Sequence, residues 1–174
     1  MRHPVLSTKL SHFLVFGLLF GFIACSSPDD SDPEPINEAV FINEIYAAGD
    51  DWIELYNASE AEQNIGGYFI YDDATNKYSI PANTVIPAKG FLVLYCDDTG
   101  TGLHTNFRLT TDGEKVYLEN AAGTLIDMVE FPVLDNGQSY GRYPDGSETL
   151  AISGKTSLGS SNDNANAPAI ESVS

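Results

Sequence analysis

Phe41-Ile42-Asn43-Glu44-Ile45-Tyr46 and Trp52-Ile53-Glu54-Leu55-Tyr56-Asn57 are two runs rich in β-branched and aromatic residues, separated by Ala47-Ala48-Gly49-Asp50-Asp51. Such runs fit a pleated, half-buried surface, and a Gly-Asp cluster between them marks a turn, so the pair predicts a hairpin of two strands. A strand has period two. In the second run Ile53 and Leu55 therefore share one face, and Trp52, Glu54 and Tyr56 the other. In the first run Val40 and Ile42 are in phase but Ile45 is not. A bulge near Asn43-Glu44 would return Ile45 to the core face.

Outward from this pair the pattern repeats. Tyr68–Tyr71, Tyr78–Ile80, Phe91–Cys96, Asn106–Thr110, Lys115–Glu119, Leu125–Phe131, Ser139–Tyr143 and Thr149–Ile152 read as further short strands. Asp72-Asp73, Pro81, Gly90, Asp112-Gly113, Ala121-Ala122-Gly123, Asp135-Asn136-Gly137 and Pro144-Asp145-Gly146 punctuate them. No segment sustains a helical period. Short strands with turn signals at this spacing indicate an all-β sandwich or barrel. The expected core includes Ile53, Leu55, Phe69, Val93, Val116 and Leu118.

The N-terminus reads differently. Arg2 and Lys9 precede an apolar and glycine run of 12 residues, Phe13 to Ala24. A membrane span needs roughly 20 apolar residues, so residues 1–24 read as a signal peptide. Its end, Phe22-Ile23-Ala24-Cys25, resembles a bacterial lipobox, with Phe22 where Leu is commoner. The resemblance implies cleavage before Cys25, with lipid on its thiol and its new amine. Lipid on both provides stable membrane anchoring. Residues 25–38 then form an acidic tether rich in Pro and Ser, without apolar periodicity. Its Asp29, Asp30 and Asp32 resemble an export signal to the outer face of the outer membrane. The expected location is the bacterial outer membrane, lipid-anchored and exposed at the cell surface. Residues 39–162 form the domain and residues 163–174 a polar tail.

The mature chain has 150 residues, enough for one domain with a real core. Six Lys and Arg face 25 Asp and Glu, a net charge of −19 that opposes nucleic acid and anionic head groups. With Cys25 lipidated, Cys96 has no partner for an intramolecular disulfide, and its place after an apolar run makes it a buried, inert thiol.

The ordered series of motifs resembles the lamin tail domain, an immunoglobulin-like β-sandwich. Besides the opening INEI and DWIELYN, it includes Gly67–Ile70, Pro81–Gly90 with Phe91–Leu94, Glu114–Leu118 with Gly123–Asp127, Gly141–Gly146 (GRYPDG) and Leu158–Asn162. The resemblance spans about residues 38–162. It implies a sandwich of about 8–9 short, mainly antiparallel strands and a non-catalytic binding or structural module.

Few residues point to chemistry. His104 is the sole histidine after the leader, which excludes a two-His metal centre. No nucleophile elbow or phosphate loop is present. Glu44 and Glu54 are a carboxylate pair of the kind a glycosidase uses, but both stand in the motif that marks the fold. Glu44 and Arg142 are expected to form a partly buried ion pair tying the first strand to a late one, with Asn43 satisfying backbone groups beside the bulge; the alternative points both to solvent. Exposed aromatics, Tyr140 and Tyr143 foremost, would serve a carbohydrate binder, the competing function; a carboxylate-based hydrolase is a further one. The partner is an unidentified protein or glycan, and no cofactor is required.

Three Asp pairs, Asp50-Asp51, Asp72-Asp73 and Asp97-Asp98, each abut a strand end. Alternating strand direction sends all three to one pole, and counting onward adds Asp145. There Asp51, Asp72 and Asp97 could offer oxygen ligands to Ca²⁺, or each could simply shape its own turn.

Overall fold

A computed structural model describes residues 39–164. In it the Ala47–Asp51 turn folds Val40–Tyr46 (β1) back along Trp52–Asn57 (β2), antiparallel, with Ile42 opposite Leu55 and Ile45 opposite Ile53. The register slips between Ile42 and Glu44, placing Asn43 in a bulge. The expected bulge is therefore present, and it does what the phase of the sequence requires: Ile42 and Ile45 both reach the core.

The remaining strands are Gln63–Asn64 (β3), Phe69–Tyr71 (β4), Tyr78–Ser79 (β5), Val85–Ile86 (β6), Phe91–Tyr95 (β7), Glu114–Glu119 (β8), Leu125–Phe131 (β9), Ser139–Arg142 (β10) and Leu150–Ser153 (β11). One sheet has the order β11-β10-β1-β2-β7 and the other β5-β4-β8-β9; β3 and β6 make a small separate ribbon. All pairings between these strands are antiparallel. The architecture is an all-β, immunoglobulin-like sandwich. The only helical element among the described residues is one 3₁₀ turn, Asn162–Asn164.

Eleven strands replace the expected eight or nine because two-residue ladders such as β3 and β6 leave no period in the sequence. Asn106–Thr110 is not a strand. Its Phe107 and Leu109 are buried as an irregular plug at the end of the sandwich.

Ile53, Leu55, Val116 and Leu118 lie in the core as expected, joined by Ile42, Ile45, Ile70, Leu94 and Val129. Phe69 and Val93 do not. Each is half-buried on the outer side of its strand, and the core positions are their neighbours Ile70 and Leu94. Register explains it: Leu94 pairs with inward Ile53, which sends Val93 outward beside Glu54. Cys96 is fully buried and unpaired. Burial pushes its thiol up to about 12, and the fields of Asp51, Asp72 and Asp97 add to the shift.

Candidate functional site

The outer face of the five-stranded sheet is built in rows across β1, β2 and β7. Tyr46 stands opposite Trp52, and Trp52 opposite Tyr95, giving an aromatic row. The next row down the strands is Glu44 opposite Glu54, with Val93 beyond. Below it Phe41, Tyr56 and Phe91 form a second aromatic row, in which Tyr56 and Phe91 stack at 5.0 Å. The residues after β11 cross the middle row as a strap.

That strap buries the two carboxylates. Glu44 and Glu54 are both fully buried. Glu44 Oε1 accepts the Ser139 hydroxyl at 2.5 Å, and its Oε2 lies 2.7 Å from Ser157 Oγ. The Ser157 backbone N–H points at both oxygens. Glu54 Oε2 accepts the Gly159 N–H at 2.6 Å, and its Oε1 takes the Asn43 amide at 3.3 Å. Asn162 anchors the end of the strap. Its amide nitrogen donates to the carbonyls of Asn43 and Arg142, and its backbone N–H to Asp145.

Among the described residues no cation is paired with Glu44 or Glu54. Desolvation raises the pKa of Glu44, and it raises that of Glu54 to about 7, with Glu44 and Asp145 adding to the latter shift. Proton counting gives the same direction for Glu44. Both hydrogens of the Asn162 amide are spent on carbonyls, so its Oδ1 can only accept from Ser157 Oγ, at 2.6 Å. Ser157 has one hydroxyl proton. The 2.7 Å contact to Glu44 then balances when Glu44 supplies a proton of its own. The strap donates to both acids from Ser157 and Gly159, and the hydroxyls of Ser157 and Ser139 each stand between two acceptors.

Arg142 is buried, but it does not meet Glu44. Glu44 pairs with Gly141 in the β1–β10 ladder, so the next residue, Arg142, projects from the opposite face. There its Nη2 makes a two-oxygen ion pair with Asp127, at 2.9 and 3.0 Å. Its Nε donates to the Ile42 carbonyl, so β1 and β10 are tied, though by another partner than expected. Asp127 Oδ2 also accepts the Ile42 N–H. Asn43 satisfies a distant backbone rather than its own bulge: its Oδ1 accepts from Gly146 N. Asp127, Ser157 and Asn162 were not singled out in the sequence. The signal for Asp127 was available, since it is an acid inside the otherwise apolar first half of β9.

The three Asp turns share one end of the sandwich. Cys96 N–H donates to the Asp51 carbonyl, and the Asn76 and Asn106 side chains bond the Asp72-Asp73 turn to the loop after Asp97-Asp98. Asp145 lies at the opposite end, with Gly146 against Phe41 and Tyr56. The count fails there because Asn106–Thr110 is not a strand, which reverses the parity for everything after it. Sharing an end does not make a ligand set. Asp51 turns back to Gly49 N, Asp73 to Thr75, and Asp97 to Thr99 N and His104 Nδ1. Among the described residues no three His, Cys, Asp or Glu side chains form a group that could hold a metal ion. Asp51, Asp73 and Asp97 thus bond within separate turns, and Asp51, Asp72 and Asp97 do not form a ligand set.

Tyr140 packs against the core, and the Tyr143 hydroxyl is buried without a hydrogen-bond partner. Neither offers an open platform. The upper aromatic row lines a groove. Tyr46 and Trp52 stack at 5.8 Å with planes 25° apart, and with Tyr95 they line a groove of about 630 Å³. Asp50, Lys155 and Thr156 stand around it. Cys25, the tether and the residues after 164 lie outside the described part of the chain.

A family model described as Lamin Tail Domain matches residues 33–132, more than half of the chain. The match ends after β9, so β10, β11 and the strap complete the sandwich beyond it. No curated protein matches the chain.

Proposed function

We propose that the chain, which belongs to the lamin tail domain family, serves as a non-catalytic binding module held on the cell envelope by lipid on Cys25. The observation that carries the non-catalytic reading is the sealing of Glu44 and Glu54. A glycosidase needs two carboxyl groups open to substrate, one to give a proton and one to attack or activate water. Here both are fully buried, bonded to the strap and within reach of no solvent. Their role is to hold the fold's last segment in place.

The anchoring rests on the 12-residue apolar run that ends in Phe22-Ile23-Ala24-Cys25. The acidic tether after it supports an outer-membrane, surface-exposed location. The net charge of −19 on the chain from Cys25 onward turns away nucleic acid and leaves a protein or an uncharged glycan as partner. The aromatic groove favours the glycan.

Membrane fractionation of cells carrying wild type or Cys25→Ser, with a hydrolysis screen of the purified protein against polysaccharides and phosphodiesters, tests both halves. Wild type should pellet with membranes, the variant should be released or left unprocessed, and no substrate should be cut. Processed Cys25→Ser that stays on the membrane would overturn the anchor, and turnover would overturn the non-catalytic reading.

A further inference from the structure

We infer that the groove over Tyr46, Trp52 and Tyr95 is a binding site for a neutral oligosaccharide. This deepens the binding-module reading and rests on it. The three rings are neighbours by ladder register on three adjacent strands, so they form one strip rather than a chance meeting of loops. Trp52 is almost wholly buried and serves as the floor. Tyr95 is 38% exposed and offers its ring to a ligand, braced from behind by His104, whose ring lies parallel at 5.2 Å. Such a strip suits the C–H face of a sugar ring, which is apolar and flat.

The rim supplies what a polyol needs. Asp50 accepts, the Lys155 ammonium donates, and the Tyr95 and Thr156 hydroxyls do both. Among the described residues none of these four side chains has a hydrogen-bond or salt-bridge partner, whereas Lys77, Lys89, Lys115 and Arg142 are each paired with a carboxylate. The groove therefore holds unspent donors and acceptors beside an aromatic floor, the pairing found in sites for small polar ligands. Its volume, about 630 Å³, falls in the range of such sites.

Charge selects among ligands that stack on aromatics. Nucleotides do so too, but their phosphates meet a strongly acidic protein. The groove itself carries one carboxylate and one ammonium, which balance. An uncharged, hydroxyl-rich ligand fits that balance best.

The test is titration calorimetry on the full mature protein in detergent, with neutral gluco-, manno- and xylo-oligosaccharides and with polygalacturonate as a charged comparison. At least one neutral series should bind, and polygalacturonate should not. Tyr95→Ala should weaken binding about tenfold, the size expected for one aromatic contact together with its hydroxyl. Lys155→Ala, which removes only an exposed side chain, should weaken it several-fold while the melting temperature of both variants stays at the wild-type value. Failure of every neutral series to bind overturns the proposal. Binding unchanged in both variants overturns it as well, and places the glycan elsewhere on a module that still binds. Reducing ends released in the same samples would instead overturn the non-catalytic reading and leave the site standing.

Discussion

Raising the pH should loosen this domain, and the largest single loss should be traceable to Glu54. Glu54 has its pKa raised from 4.5 to about 7 by burial. A group raised in the folded state contributes stability that is complete below its unfolded value. That stability is lost as pH climbs through the folded value. At 1.36 kcal/mol per pKa unit, Glu54 removes about 3 kcal/mol between pH 5 and 8.5. Glu44, Asp51 and Glu114, also raised by burial, act in the same direction. Asp73, Asp97 and Glu119, whose pKa values are lowered, have finished titrating below this window. Urea unfolding followed by the fluorescence of Trp52, the sole tryptophan, reads the effect directly. Glu44→Gln can reproduce the protonated pattern, its amide donating to Ser157 Oγ and its carbonyl accepting from Ser139. Its stability should match wild type at pH 5 and exceed it at pH 8.5. In Glu54→Gln the amide faces the Asn43 amide, so a constant offset is expected, but the pH-dependent fall should shrink by about 3 kcal/mol. If both variants keep the full wild-type fall, the buried carboxyls are not protonated and the account of the strap is wrong.

Three further outcomes follow from packing. Leu55→Ala, at a fully buried site, should cost about 2–5 kcal/mol in the same urea assay; a loss well under 1 kcal/mol would contradict its place in the core. Asp127→Ala strands the buried Arg142 guanidinium and the Ile42 N–H, and should cost about 3–5 kcal/mol, more than Glu44→Gln at any pH. At Gly141 an added Cβ would stand 2.8 Å from the Asn43 carbonyl and from the Asn162 amide. Gly141→Ala should therefore destabilise by about 1–3 kcal/mol and raise protease cutting within residues 154–162, and an unchanged digest would show that the strap does not dock there.

The opening hairpin was legible because its apolar residues alternate and its one break in phase has a single cheap remedy, a bulge. Where every residue of a run is apolar, period two carries no information. In Phe91–Tyr95 and Tyr68–Tyr71 both faces are hydrophobic, so Val93 and Phe69 could not be told from Leu94 and Ile70; only the partner strand fixes which way they point. Asn106–Thr110 looks like a strand by its alternation of Phe107 and Leu109, yet its backbone pairs with no sheet strand. That one error carried Asp145 to the wrong pole. Glu44 and Arg142 were recognisable as charges out of place, and both are buried. Their partners were not recognisable, because Gly141 sets the register and a single-residue step turns Arg142 away from Glu44 toward Asp127. The strap left the weakest trace: Ser157, Gly159 and Asn162 are small polar residues without periodicity, and their meaning comes from the acids they cover.

The claim on which the functional account turns is that this sandwich is a lipid-held module, and the intact mass of the mature protein tests it most directly. The expected species begins at Cys25 and carries diacylglycerol on the thiol and a fatty acyl group on the amine. A mature chain that begins elsewhere, or one that begins at Cys25 with an unmodified thiol, would contradict the account.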